Sequence, residues 1–127
     1  MSIPFNPIHG LIFVDAELEG PARTIPVRLA LDTGARGTTI NIAPLVYAGY
    51  DPAMATNQTQ LTTASGVAFA PRLPIIRLRA LGMDRPGLIV NGHTLPTGTG
   101  IDGLLGLDFF RGTILNIDFQ TGLIEVT

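Results

Sequence analysis

The sequence predicts a single all-β domain with one or two short helices, and three observations carry that reading. Hydrophobic residues make up 46% and charged residues 14% of the 127 residues, enough apolar material for one core and the reverse of a disordered composition. Fifteen glycines and ten prolines are spread along the whole length, as tight turns between many short strands require. Several segments alternate apolar and polar residues with period two, the spacing of a half-buried strand. No repeat, low-complexity tract or composition break divides the chain, so residues 1–127 read as one domain.

The elements follow in order. Ile8 to Glu19 reads as a first strand, closed by Gly20-Pro21. Ile25 to Leu31 sets Ile25, Val27, Leu29 and Leu31 on one face against Pro26, Arg28 and Ala30, then runs into Asp32-Thr33-Gly34, a turn signal. Thr38 to Ile42 is β-branched and strand-like, and Ala43 to Gly49 fits one or two helical turns stopped by the glycine. Thr59–Thr63 and Val67–Ala70 flank Ala64-Ser65-Gly66, a hairpin pattern. Ile75 to Leu81 alternates Ile75, Arg77 and Arg79 against Ile76, Leu78 and Ala80. A short strand over Leu88 to Asn91 precedes a loop from Gly98 to Gly103. Leu107 to Arg111 fits a short helix ended by Gly112, and Ile114–Phe119 with Leu123–Val126 makes a last hairpin.

Composition excludes several chemistries. All eight basic residues are arginine, so there is no lysine for a phosphate loop or a Schiff base. Cysteine is absent, which removes thiol nucleophiles, disulfides and thiolate-bound metal. His9 and His93 stand without an acidic or histidine neighbour at ligand spacing, so no metal and no cofactor is expected. A formal net charge of −2 gives no electrostatic case for nucleic acid or an anionic membrane. Residues 1–6 lack a basic segment followed by an apolar stretch, and no apolar run is long enough to span a bilayer, so the expectation is a cytoplasmic protein.

The chemistry-bearing stretch is Leu31-Asp32-Thr33-Gly34-Ala35. An acid at the end of an apolar strand leaves the sheet where a turn begins, and Gly34 frees the backbone to bring an amide to the carboxylate. Taken alone, this tetrapeptide also fits an ordinary Asx-type bend. About seventy residues downstream, Leu104-Leu105-Gly106-Leu107-Asp108 sets two hydrophobic residues and a glycine before a short helix. Alone, that too is an ordinary strand meeting a helix. Asp102 either lines a cleft or starts the turn at Gly103, and the turn is the preferred reading.

The two motifs, in this order and spacing, resemble the retropepsin-like aspartic peptidases, the family of retroviral proteases and their bacterial and eukaryotic relatives, here of the bacterial single-domain type. The resemblance implies a retropepsin-like closed β-barrel or sandwich acting as a homodimer. It implies Asp32 as the catalytic carboxylate, with Thr33, Gly34 and Ala35 as the supporting loop. Ala64, Ser65 and Gly66 fall at the tip of a flap closing over bound peptide, and Leu104, Leu105 and Gly106 match the segment packed behind the catalytic loop or lining the cleft. Retroviral enzymes commonly carry an acid where this chain has Arg36, and an Arg where it has Leu107 beside Asp108; a reversed Arg36–Asp108 ion pair is the expectation drawn from that departure. Since two carboxylates around one water are needed and one Asp-Thr-Gly is present, two copies must meet. Aliphatic residues around Ala35, Thr39, Ile101 and Leu104 suggest apolar pockets. The activity implied is hydrolysis of a peptide or protein substrate; the alternative is an inactive dimer of the same fold that holds peptide, and a third reading is a structural β domain whose Asp32 caps a turn.

Overall fold

The computed structural model describes residues 1–127, apart from the side chain of Thr63. Twelve strands and one α-helix follow one another: β1 (Ser2–Pro4), β2 (Phe13–Glu19), β3 (Thr24–Leu31), β4 (Thr39–Ile40), α1 (Ile42–Ala48), β5 (Asn57–Thr63), β6 (Gly66–Pro74), β7 (Arg77–Ala80), β8 (Met83–Pro86), β9 (Ile89–Gly92), β10 (Gly103–Leu105), β11 (Leu115–Asp118) and β12 (Leu123–Val126). Short 3-10 turns occupy Pro52–Met54 and Leu107–Phe110. The expected all-β class holds: about 11% of residues are helical.

The barrel, however, is not closed. Nine strands form one curled sheet in the order β5-β6-β9-β4-β10-β3-β2-β7-β8, a half-barrel with free edges at β5 and β8. Closure fails because each end of the sheet is a local hairpin, β5–β6 and β7–β8, whose outer arm pairs only with its own neighbour. A separate three-stranded sheet, β1-β12-β11, packs Ile124 and the partly buried Ile3, Leu115, Ile117 and Val126 against the same core.

The longest pairing, β2 with β3, runs from Phe13 opposite Ala30 to Glu19 opposite Thr24. Its inward residues Val14, Ala16, Leu18, Ile25, Val27 and Leu29 are buried, as the period-two pattern requires. A fully buried Leu18 or Leu29 is worth about 1.5–3 kcal/mol relative to exposure. Helix α1 lays Leu45 and Ala48 on this core. It ends at Gly49, whose φ of 108° is left-handed; the amides of Gly49 and Tyr50 close back on Val46 and Leu45. The Tyr50 hydroxyl then accepts from the Ile76 amide at 2.7 Å and donates to the Glu19 carbonyl at 2.5 Å. Burial raises the Tyr50 pKa above its ordinary value, so the hydroxyl stays a donor. No helix among the described residues is long and apolar enough to cross a membrane.

Several boundaries differ from the sequence reading. The first long strand begins at Phe13 instead of Ile8, which is 92% exposed in the turn after Asn6-Pro7. Ile76 is 44% exposed and does not share the face of Leu78 and Ala80, because the chain bends there before β7 starts at Arg77. Gly103 belongs to β10, not to the preceding loop. β4 is only two residues long because α1 already starts at Ile42.

Candidate active site

β3 delivers Asp32 to a crossing point. The Leu31 amide still bonds to the Ile12 carbonyl at 2.9 Å, but the next amide, that of Asp32, donates to Leu105 of β10, also at 2.9 Å. The chain then turns at once: the Ala35 amide reaches the Asp32 carbonyl at 3.2 Å, and the Gly34 amide donates to Asp32 Oδ1 at 2.9 Å. A Cβ at Gly34 would stand 3.2 Å from that Oδ1, so glycine leaves the carboxylate its place. Asp32 is half-buried while Thr33 and Gly34 are exposed. The loop therefore presents one carboxylate with a single oxygen fixed by a backbone donor.

β10 holds this loop from behind. It pairs parallel with β3, Leu105 opposite Leu31, and antiparallel with β4, Leu104 opposite Thr39. Close approach on both sides needs glycine. A Cβ at Gly103 would fall 2.1 Å from the Thr39 carbonyl oxygen, and one at Gly106 2.6 Å and 2.7 Å from the Gly37 carbonyl carbon and oxygen. Past Gly106 the chain closes on the loop again, the Leu107 amide donating to Ala35 O at 2.8 Å and the Asp108 amide to Arg36 O at 3.1 Å. Leu104, Leu105 and Gly106 are thus packed against the loop. Leu104 alone of the three stays half-buried.

The expected Arg36–Asp108 ion pair does not form. Among the described residues the ion pairs within 4.0 Å are Arg28–Asp15, Arg79–Glu17 and Arg79–Asp84. Asp108 is already engaged: both of its carboxylate oxygens accept from the Thr38 amide at 3.0 Å, and Oδ1 also accepts from the Thr38 hydroxyl at 2.7 Å. That hydroxyl in turn accepts from the Gly106 amide at 3.2 Å. Thr38 is fully buried, so its amide depends on Asp108. Sequence reasoning missed Thr38 as the knot between loop and helix; a β-branched hydroxyl residue just past the loop was the available signal. Asp108→Ala strands the buried Thr38 donors and is expected to cost about 2–4 kcal/mol, whereas Asp108→Asn keeps an acceptor and costs less. Denaturant midpoints of the two variants check this, and an alanine variant as stable as wild type would contradict it.

Other residues fall as follows. Asp102 is a clamp: its carboxylate accepts the Arg28 amide at 2.8 Å, its own amide donates to Arg28 O at 2.6 Å, and its carbonyl accepts the Asn41 amide. Thr39 and Ile101 are buried, while Ala35 is half-buried. β5 and β6 form the expected hairpin around a two-residue Ala64-Ser65 turn, with Gly66 left-handed at φ 127°. Val67 and Phe69 on its β6 arm are 57% and 67% exposed. Among the described residues no three His, Asp or Glu side chains gather as metal ligands would.

The structure thus brings together a carboxylate on an Asp-Thr-Gly turn and a Leu-Leu-Gly strand packed behind it inside a curled β half-barrel. The Aspartyl protease family model matches residues 14–109, and the chain belongs to that family. Among solved structures, a retropepsin-like aspartic protease from Rickettsia conorii matches with a TM-score of 0.72 at 20% identity, covering 99% of this chain and 89% of that one. The fold is therefore retropepsin-like. No curated protein matches the chain.

Proposed function

We propose that the chain is an aspartic endopeptidase whose active form is a homodimer, with Asp32 of two copies flanking one water. The observation that carries this reading is the Asp32 carboxylate itself, fixed by the Gly34 amide on a braced loop in a chain with a single such loop. Two adjacent carboxylates cannot both ionise cheaply and so share a proton. The ionised one takes a proton from the water as its oxygen attacks the scissile carbonyl carbon. The protonated one donates to the carbonyl oxygen, giving a neutral gem-diol. Breakdown returns a proton to the leaving nitrogen and breaks the C–N bond. Thr33 braces the two loops across the twofold axis, and the Ala64-Ser65-Gly66 hairpin closes over extended peptide by strand-like backbone bonds.

Two features favour assembly from copies. Neither of two surface concavities, of about 90 and 390 Å³, includes Asp32, which is compatible with half a cleft. The outer edge of β11 is also open to pairing. Ile114 and Thr127 exchange both backbone bonds, at 2.8 and 3.0 Å, so ladder alternation turns the amides of Leu115 and Ile117 away from β12. Residues 115–117 contain neither proline nor charge, the usual guards of an edge strand, while β1 and β8 end in Pro4 and Pro86. Two copies pairing Leu115 with Ile117 would make one continuous six-stranded sheet.

The test is cleavage of a diverse peptide library across pH and protein concentration. Activity per chain should rise with concentration and level off as the dimer saturates. Cleavage per chain independent of concentration, from a protein monomeric by sedimentation, would overturn the shared dyad.

A further inference from the structure

The Arg36 side chain is exposed, and among the described residues no carboxylate lies within 4.0 Å of its guanidinium. Asp108, whose amide bonds to the Arg36 carbonyl, turns its carboxylate to Thr38. The Arg36 carbonyl is held by the Asp108 amide, so its backbone is fixed while its guanidinium stays unspent. An arginine is ionised at every working pH and offers five donors in a planar fork. Charges around it are few: residues 56–71 of the hairpin, 93–101 and 104–107 carry no Asp, Glu, Lys or Arg, while Arg72 lies further along the hairpin and Asp108 sits behind the loop with its carboxylate on Thr38. The loop therefore offers a cationic group that no carboxylate among the described residues approaches within 4.0 Å.

We infer that Arg36 is a specificity-determining residue that selects substrates carrying acidic side chains on either side of the scissile bond. This rests on the peptidase reading for the position of the cleft. Asp32 and Arg36 are four residues apart, which separates their Cα atoms by at most about 13 Å. A strand advances about 3.3 Å per residue, so the guanidinium meets side chains about two to four residues from the cleaved bond. In a twofold dimer the two Arg36 side chains lie on opposite sides of the dyad, one toward each end of the peptide. A carboxylate at each flank would form a charge-assisted, bidentate pair.

The test uses the full chain carrying Asp32→Asn, with or without Arg36→Gln or Arg36→Glu. Its probes are fluorescein-labelled dodecapeptides with an apolar centre and either Glu or Gln at the flanking positions, titrated by anisotropy at low and high salt. The expected result is about tenfold tighter binding of the Glu peptide, weakened by salt, abolished by Arg36→Gln, and turned toward an Arg-flanked peptide by Arg36→Glu. Equal binding of the Glu and Gln peptides, a preference surviving Arg36→Gln, or no binding of either peptide overturns the assignment. The same peptides offered to wild type separate the two claims. Indifferent cleavage of both removes the role of Arg36 and leaves the peptidase standing. Arg36-dependent binding without cleavage does the reverse.

Discussion

Asp32→Asn is expected to abolish peptide cleavage, by about three orders of magnitude or more, while leaving the fold and its thermal stability close to wild type. In the proposed dimer the substitution removes the base that would take the proton from water and, in the same side chain of the second copy, the acid that would protonate the carbonyl oxygen. General acid–base assistance from one positioned group is worth about 10²–10⁴, and a twofold dimer loses both groups to one change. Structure is spared because the bond that places the side chain is kept: the amide oxygen of asparagine accepts the Gly34 amide as Oδ1 does at 2.9 Å. The loop is otherwise held by backbone bonds, Asp32 to Leu105 and Ala35 to Asp32, that the substitution does not touch. Steady-state cleavage of a fluorogenic peptide, beside thermal melts, decides the matter. An Asp32→Asn protein that cleaves at more than a few per cent of the wild-type rate, once contaminating protease is excluded, would remove Asp32 from the chemistry.

The parts of this site that were legible in the sequence are those made by neighbours in the chain. Asp32, Thr33 and Gly34 show themselves because a strand of period two ends in a turn within three residues, and the hairpin at Ala64-Ser65 because its register depends on its own turn. Helix α1 was readable from Gly49, the residue that stops it. What the sequence withheld depends on pairings between distant segments. β10 meets β3 about seventy residues away, and nothing local in Gly103-Leu104-Leu105 says that one side of it is parallel and the other antiparallel. β1 is three residues, one of them proline, and is a strand only because β12 lies beside it. Asp108 was read as the partner of Arg36 because the two reverse the acid and arginine common at these places in retroviral enzymes. A buried amide and hydroxyl on Thr38 made the stronger claim, because unpaired donors inside a core cost more than an exposed ion pair returns. The open barrel has the same origin: each edge hairpin reads like any other strand pair, and no local signal tells an edge from an interior.

The clearest place where packing and chemistry meet is Gly106, and Gly106→Ala is expected to damage both. Its φ of −93° suits any residue, so the cost is steric alone. The added methyl would lie 2.6 Å from the Gly37 carbonyl carbon, 2.7 Å from its oxygen and 2.9 Å from the Ala35 oxygen. All three atoms are backbone of the active-site loop, so no rotamer can relieve the clash; the loop or the helix behind it must move. Overpacking of this kind costs about 1–3 kcal/mol, and more when the surroundings cannot give. A loss of about 3 kcal/mol corresponds to a Tm lower by roughly 10 °C in a domain of this size. The movement also pulls on the Leu107–Ala35 and Asp108–Arg36 bonds, which hold the loop and, in the proposed dimer, would set its approach to a second copy. A carboxylate displaced by about 1 Å from its mate costs on the order of 10²-fold in rate. Cleavage should therefore fall further than the folded fraction alone explains. Gly10→Ala supplies the control, since a Cβ there meets nothing within 4 Å, and its stability should stay within about 0.5 kcal/mol of wild type. If Gly106→Ala melts and cleaves like Gly10→Ala, the contact behind the loop is not what holds Asp32 in place.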